Sequence, residues 1–162
     1  MRLRFLGICG AIALTFAAAL GAVRVVAQDA TPVVDDGSVT MTLVERALNV
    51  TTVDLDGDGP TAGDLTVWGP DPLFDEANQT DTGAVTQGSC LAMNAEANHC
   101  AETIVFADGS TLTIQGVQRG AGVPALTTIT GGSGIYLGAM GTVLVEASDD
   151  LTLWTKTFEI TF

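Results

Sequence analysis

The chain has 162 residues, 47% of them hydrophobic, and carries 19 acidic against six basic side chains for a formal net charge of −13. So acidic a surface repels nucleic acid and anionic lipid headgroups, which excludes polyanion binding as a role. One histidine and three cysteines leave no second Cys/His cluster of the kind a zinc centre requires, and no cofactor is expected.

Arg2 and Arg4 head an apolar stretch from Phe5 to Ala22, and Val25-Val26-Ala27 supplies small or moderate residues where a signal peptidase reads. Residues 1–27 therefore read as a signal peptide cut after Ala27, with Ala22 as the alternative. Retention as an anchor is the competing reading, because the apolar run is near the ~20 residues that cross a bilayer. Either way the rest of the chain is exported, to the extracellular space or the cell envelope, and no membrane contact is expected after cleavage. The exported part keeps only Arg46, Arg119 and Lys156 as basic residues against all 19 acids. Residues 28–38 form a flexible acidic lead, and residues 39–162 suffice for one domain with a sizeable core.

Beyond the leader no window keeps apolar residues at helical spacing, while β-branched residues and glycine recur between turn-forming clusters. The domain is expected to be all-β. Eight strands are read at 38–47, 64–69, 83–93, 99–107, 111–118, 124–130, 139–147 and 151–161, the number that closes a small antiparallel β-barrel. Asp108-Gly109 marks a hairpin, since glycine accepts the positive φ of a tight turn, and Asp149-Asp150 turns the last one. The final strand alternates best: Trp154, Phe158 and Ile160 face one way, with Lys156 among them. That lysine is expected either to run its stem past the aromatics toward water or to mark a polar spot in an interface.

Cys9 leaves with the leader, so Cys90 and Cys100 remain as an even pair, most simply a disulfide in an oxidising compartment, with a metal site or reactive thiol as alternatives. Asp54, Asp56 and Asp58 alternate like the first ligands of a calcium loop. The twelfth position there is Leu65, not a bidentate acid, so a solvated turn competes with a metal site.

The most specific segment is Ile129 to Gly141, in which Gly131, Gly132, Gly134, Gly138 and Gly141 demand sharp turns and close packing. A phosphate-cradling loop does not fit, because no Lys-Ser/Thr follows it and no helix opens after it. This segment resembles the Gly-rich signature of allene oxide cyclases, with a looser echo in dirigent proteins. Gly63-Asp64 before Leu65, Pro72-Leu73-Phe74-Asp75, Gly88-Ser89-Cys90 and Thr113-Ile114-Gln115-Gly116 extend the resemblance over nearly all of residues 40 to 162. It implies a closed eight-stranded antiparallel barrel and a homotrimer. Bacterial exported proteins with this barrel are the nearer match, and in them a second cysteine ten residues after the first suits a disulfide.

The family's chemistry uses a glutamate and an asparagine on the first strand. Aligning Val44-Glu45-Arg46 on the family pattern puts Thr42 and Val44 at those positions, and neither residue replaces what it aligns with. A shifted register turns Glu45 inward beside Val39, Met41 and Leu43 and makes it the one catalytic candidate; otherwise Glu45 pairs with a solvated cation at the strand end. The expected function is to bind or orient a small apolar molecule without covalent catalysis. The alternatives are an isomerase or cyclase of the allene oxide cyclase type, or a structural cell-surface protein. A barrel filled by Met41, Leu43 and Trp154 with no cavity would rule out ligand binding.

Overall fold

The computed structural model describes residues 33–35 and 37–162, so the expected signal peptide and the start of the acidic lead lie outside the described residues. Ten strands follow in chain order: β1 (Val33–Asp35), β2 (Ser38–Arg46), β3 (Val50–Val53), β4 (Leu65–Phe74), β5 (Asp81–Asn94), β6 (Ala97–Val105), β7 (Thr111–Gln118), β8 (Ala125–Ser133), β9 (Met140–Ala147) and β10 (Leu153–Thr161). All pairings are antiparallel, in the order β1-β2-β10-β9-β8-β7-β6-β5-β4-β3. β2 also pairs with β4, through Val44↔Phe74 and Glu45↔Leu73. That pairing closes β2 and β4 to β10 into an eight-stranded barrel.

Two strands lie outside the ring. β1 pairs with the first half of β2, Val34 opposite Val39, inside the stretch read as a flexible lead. β3 was not foreseen; its four residues are all exposed, so no burial pattern announces it. It exists because β4 meets β2 only near Leu73 and Phe74, which leaves the first half of β4 an unpaired edge that Val50–Val53 covers, Val50 opposite Trp68. β4 itself runs past the expected end at residue 69. A shift of register between Trp68 and Asp71, around Gly69 at φ 93° and Pro70, which has no N–H to give to the ladder, lets the strand bend and continue.

Alternation places one face of each strand inside the barrel. From one end the interior fills with Met41, Leu43, Leu73, Ile104, Leu112, Ile114, Ile129, Val143, Phe158 and Ile160, all buried. The Gly-rich segment closes this end: β8 runs into a 3₁₀ turn, Gly134–Tyr136, and Tyr136 stacks on Phe106 with ring centroids 4.5 Å apart. Gly134 sits at φ 63°, and a Cβ there would stand 2.7 Å from the Ser110 Cβ. Only a glycine satisfies both conditions at this position, which is how the turn packs against Ser110 and plugs this end. Asp108-Gly109 turns as expected, with Gly109 at φ 83° and the Ser110 N–H donating to Asp108 Oδ1.

Candidate functional site

The filled core stops at a polar layer. On β2 the inward face carries Met41, Leu43 and then Glu45; on β6, Ile104 is followed by Glu102; on β10, Phe158 is followed by Lys156. Lys156 Nζ stands 2.8 Å from Glu45 Oε2 and 2.8 Å from Glu102 Oε1, and also donates to Glu102 Oε2 at 2.9 Å. All three side chains are almost wholly removed from solvent: Lys156 is 1% exposed, Glu45 4% and Glu102 5%. Lys156 therefore neither reaches toward water nor marks an interface, as its place among aromatic neighbours suggested. It crosses the barrel interior to two carboxylates brought from strands 54 or more residues away in sequence.

One ammonium cannot neutralise two carboxylates. Burial raises the Glu45 pKa above the usual carboxyl value; Lys156 opposes the rise, and the charges of Glu102 and Asp71 add to it. For Lys156, burial works against the charged form, yet the charges of Glu102 and Glu45 outweigh it and hold its pKa above the ordinary lysine value. Asp71 on β4 is fully buried too. Its Oδ1 accepts from the backbone N–H groups of Leu48 and Asn49 and from Asn49 Nδ2. Asp71 Oδ2 and the hydroxyl of Thr86, its partner across the β4–β5 ladder, are both buried without a hydrogen-bond partner.

Above the polar layer the barrel is open. A cavity of about 280 Å³ has Glu45, Glu102 and Lys156 on its floor and Trp68, Trp154 and the Cys90–Cys100 disulfide among its walls. The cysteines are direct cross-strand partners on β5 and β6, so the covalent bond fixes the wall where those strands leave the core. β3 completes the side above β4 with Val50 and Thr52. The interior is thus packed by Met41 and Leu43 at one end and hollow at the other, with Trp154 lining the hollow instead of filling it.

Glu45 lies inward, in the register that also turns Val39, Met41 and Leu43 into the barrel. Thr42 and Val44, the positions aligned with the family's acid and amide, fall on the opposite face, where the Thr42 hydroxyl meets that of Thr157 at 3.4 Å. The reading of Glu45 as the partner of a solvated cation gives way, since its partner is the buried Lys156. Sequence reasoning missed Glu102, which carries no local signal; only the closing of the barrel brings β6 round to face Lys156 on β10. Of the expected calcium ligands, Asp54 and Asp56 come together, and the third carboxylate within 4.8 Å is Asp64, not Asp58. Those side chains already accept hydrogen bonds from Gly57, Gly59, Asp58, Thr61 and Leu55 in the turn they build.

No family model and no curated protein matches the chain. Among solved structures, it is similar to a pyocyanin demethylase, with a TM-score of 0.64 at 23% identity over 75% of this chain and 99% of that one. The fold is that of the allene oxide cyclase-like barrels. The same barrel is shared with a pterocarpan synthase dirigent protein, with a TM-score of 0.64 at 17% identity over 77% of this chain and 85% of that one. The eight strands that close here are those expected of such a barrel.

Proposed function

We propose that this allene oxide cyclase-like barrel is an exported protein that takes one small, largely apolar molecule into its open end and holds it against the Glu45–Lys156–Glu102 cluster. The cavity carries this reading. At about 280 Å³ it falls just short of the roughly 300 Å³ at which drug-sized ligand pockets begin, room for a smaller guest, and it combines apolar walls with a few convergent polar groups. One similar structure is named for demethylating pyocyanin and the other for pterocarpan synthesis, so barrels of this shape carry names that point to small molecules. The Cys90–Cys100 disulfide suits an oxidising compartment and so supports export.

Titration of the protein with 1-aminoanthracene, a neutral fluorophore that brightens in apolar surroundings, tests this reading. Binding is expected with the native chain and should be lost in Ala47→Phe, which puts a ring into the cavity, with the melting temperature unchanged. No binding to the native chain, or equal binding to both, would sink it.

A second reading, an isomerase or cyclase, is favoured by one observation: Glu45 is a buried carboxyl of raised pKa at the floor of that cavity, suited to giving a proton to a bound molecule. Turnover of an unstable fatty-acid epoxide, with Glu45→Gln as control, separates the two. Equal product ratios with and without protein would end the enzyme reading.

A further inference from the structure

The charges around the open end are lopsided, and a guest must answer them. Inside the barrel two buried carboxylates, Glu45 and Glu102, share a single ammonium, that of Lys156, and a third buried acid, Asp71, acts on Glu45 from β4. Asp71 Oδ1 accepts three hydrogen bonds, while its Oδ2 is buried without a hydrogen-bond partner. Outside, a second hollow of about 670 Å³ adjoins the cavity and shares Thr52, Thr66, Asn98, Arg119, Gly120 and Leu151 with it. Asp54, Asp64 and Glu96 line this vestibule, with Arg119 as its one basic residue.

A molecule entering therefore passes acidic groups, then a chamber walled by Trp68 and Trp154, and ends above a floor where two carboxylates face one ammonium. Low-dielectric walls concentrate such a field and raise the local concentration of cations. Trp68 and Trp154 line the same chamber, and a cation seated over the face of either ring is attracted to it. An anionic guest, such as a free fatty acid, meets repulsion at each stage.

We infer that the open end of the barrel selects a flat, cationic guest of about two fused rings, its positive charge directed at the carboxylates of the floor. This rests on the binding function proposed above and narrows it to a class of ligand. The two carboxylates of the floor and the acids of the vestibule act in the same direction, and among the described residues Arg119 is the only basic group at the mouth that opposes them.

Three probes of matched shape test it by calorimetry on the intact protein at neutral pH, at low and at physiological salt. They are N-methylquinolinium, its neutral counterpart 1-methylnaphthalene, and 1-naphthoate. The cation is expected to bind about tenfold more tightly than the neutral probe, with the anion the weakest. Tighter or equal binding of the neutral or anionic probe overturns the charge selection and leaves the binding function standing. No binding of any of the three overturns the binding function itself. Glu96→Lys, an exposed change that leaves the core untouched, is expected to weaken only the cation, about threefold at low salt and less at physiological salt. An equal effect on the cationic and neutral probes would remove the vestibule from the explanation.

Discussion

Replacing Lys156 by methionine asks the buried cluster its hardest question. The methionine keeps most of the volume of the lysine stem, so packing changes little and the lost charge dominates. Each contact at 2.8 Å has a gross attraction of about 6 kcal/mol at an effective dielectric of 20. Most of that is cancelled by the desolvation of burying the ions, but the desolved carboxylates remain when the ammonium is gone. The expected net loss at neutral pH is about 3–5 kcal/mol, a fall of roughly 10–20 °C in melting temperature for a domain of this size. The sign of the pH dependence is the sharper reading. With Glu45 and Glu102 facing each other unpaired, at least one of them folds best when protonated, so its pKa is higher in the folded than in the unfolded state. The stability lost in Lys156→Met is then recovered as pH falls and deepens as pH rises through that raised pKa. Urea unfolding followed by tryptophan fluorescence, at a series of pH values, measures it. A loss under about 1 kcal/mol, or a loss that does not change with pH, would refute a buried ion cluster. The triple variant Lys156→Met, Glu45→Gln, Glu102→Gln removes every charge and should win back most of the stability, because the penalty lies in unpaired ions.

Four further outcomes follow from individual residues. Glu45, whose pKa is raised on folding by burial, contributes stability that is whole below its unfolded value and lost as pH rises through its folded one, so Glu45→Gln should flatten that slope in an unfolding series. Asp75, Asp108 and Asp150 act with the opposite sign: hydrogen bonds from Gln79, from Ser110 and from Ser148 and Thr152 lower their pKa values, and what they contribute is lost in acid, so Asp150→Asn should shift the acid limb of the same series. Reducing Cys90–Cys100, which spans ten residues, should cost about 2.5–3 kcal/mol by chain entropy, and denaturant midpoints of the oxidised and reduced protein that coincide would contradict this. Gly134→Ala meets both a positive φ and the Ser110 side chain and should lower stability by about 1–3 kcal/mol, whereas Gly109→Ala, with open space around it, should lose only the conformational part.

What was legible in the sequence was legible because it is local. Alternation along a strand, Asp-Gly at a turn and closely spaced glycines each act within a few residues, and they carried the all-β class, the eight barrel strands and the plug between β8 and β9. The pairing of Cys90 with Cys100 belongs here as well, since one hairpin sets both cysteines opposite each other. The site could not be read in the same way. Whether Glu45 points inward depends on a register that one residue of slip would reverse, and the β2–β10 and β2–β4 ladders decide it. Glu102 and Lys156 meet only because the sheet closes on itself, and β3 becomes a strand only because β4 leaves an edge uncovered. A cavity is likewise a property of the closed barrel: the residues that line it are ordinary inward positions until the strands diverge beyond the polar layer and leave the space between Trp68 and Trp154 unfilled. The chain by itself therefore determined a barrel and its plug, through interactions between near neighbours. Only closure over long sequence separations decided that the barrel holds a buried carboxylate–ammonium cluster beneath a chamber of its own.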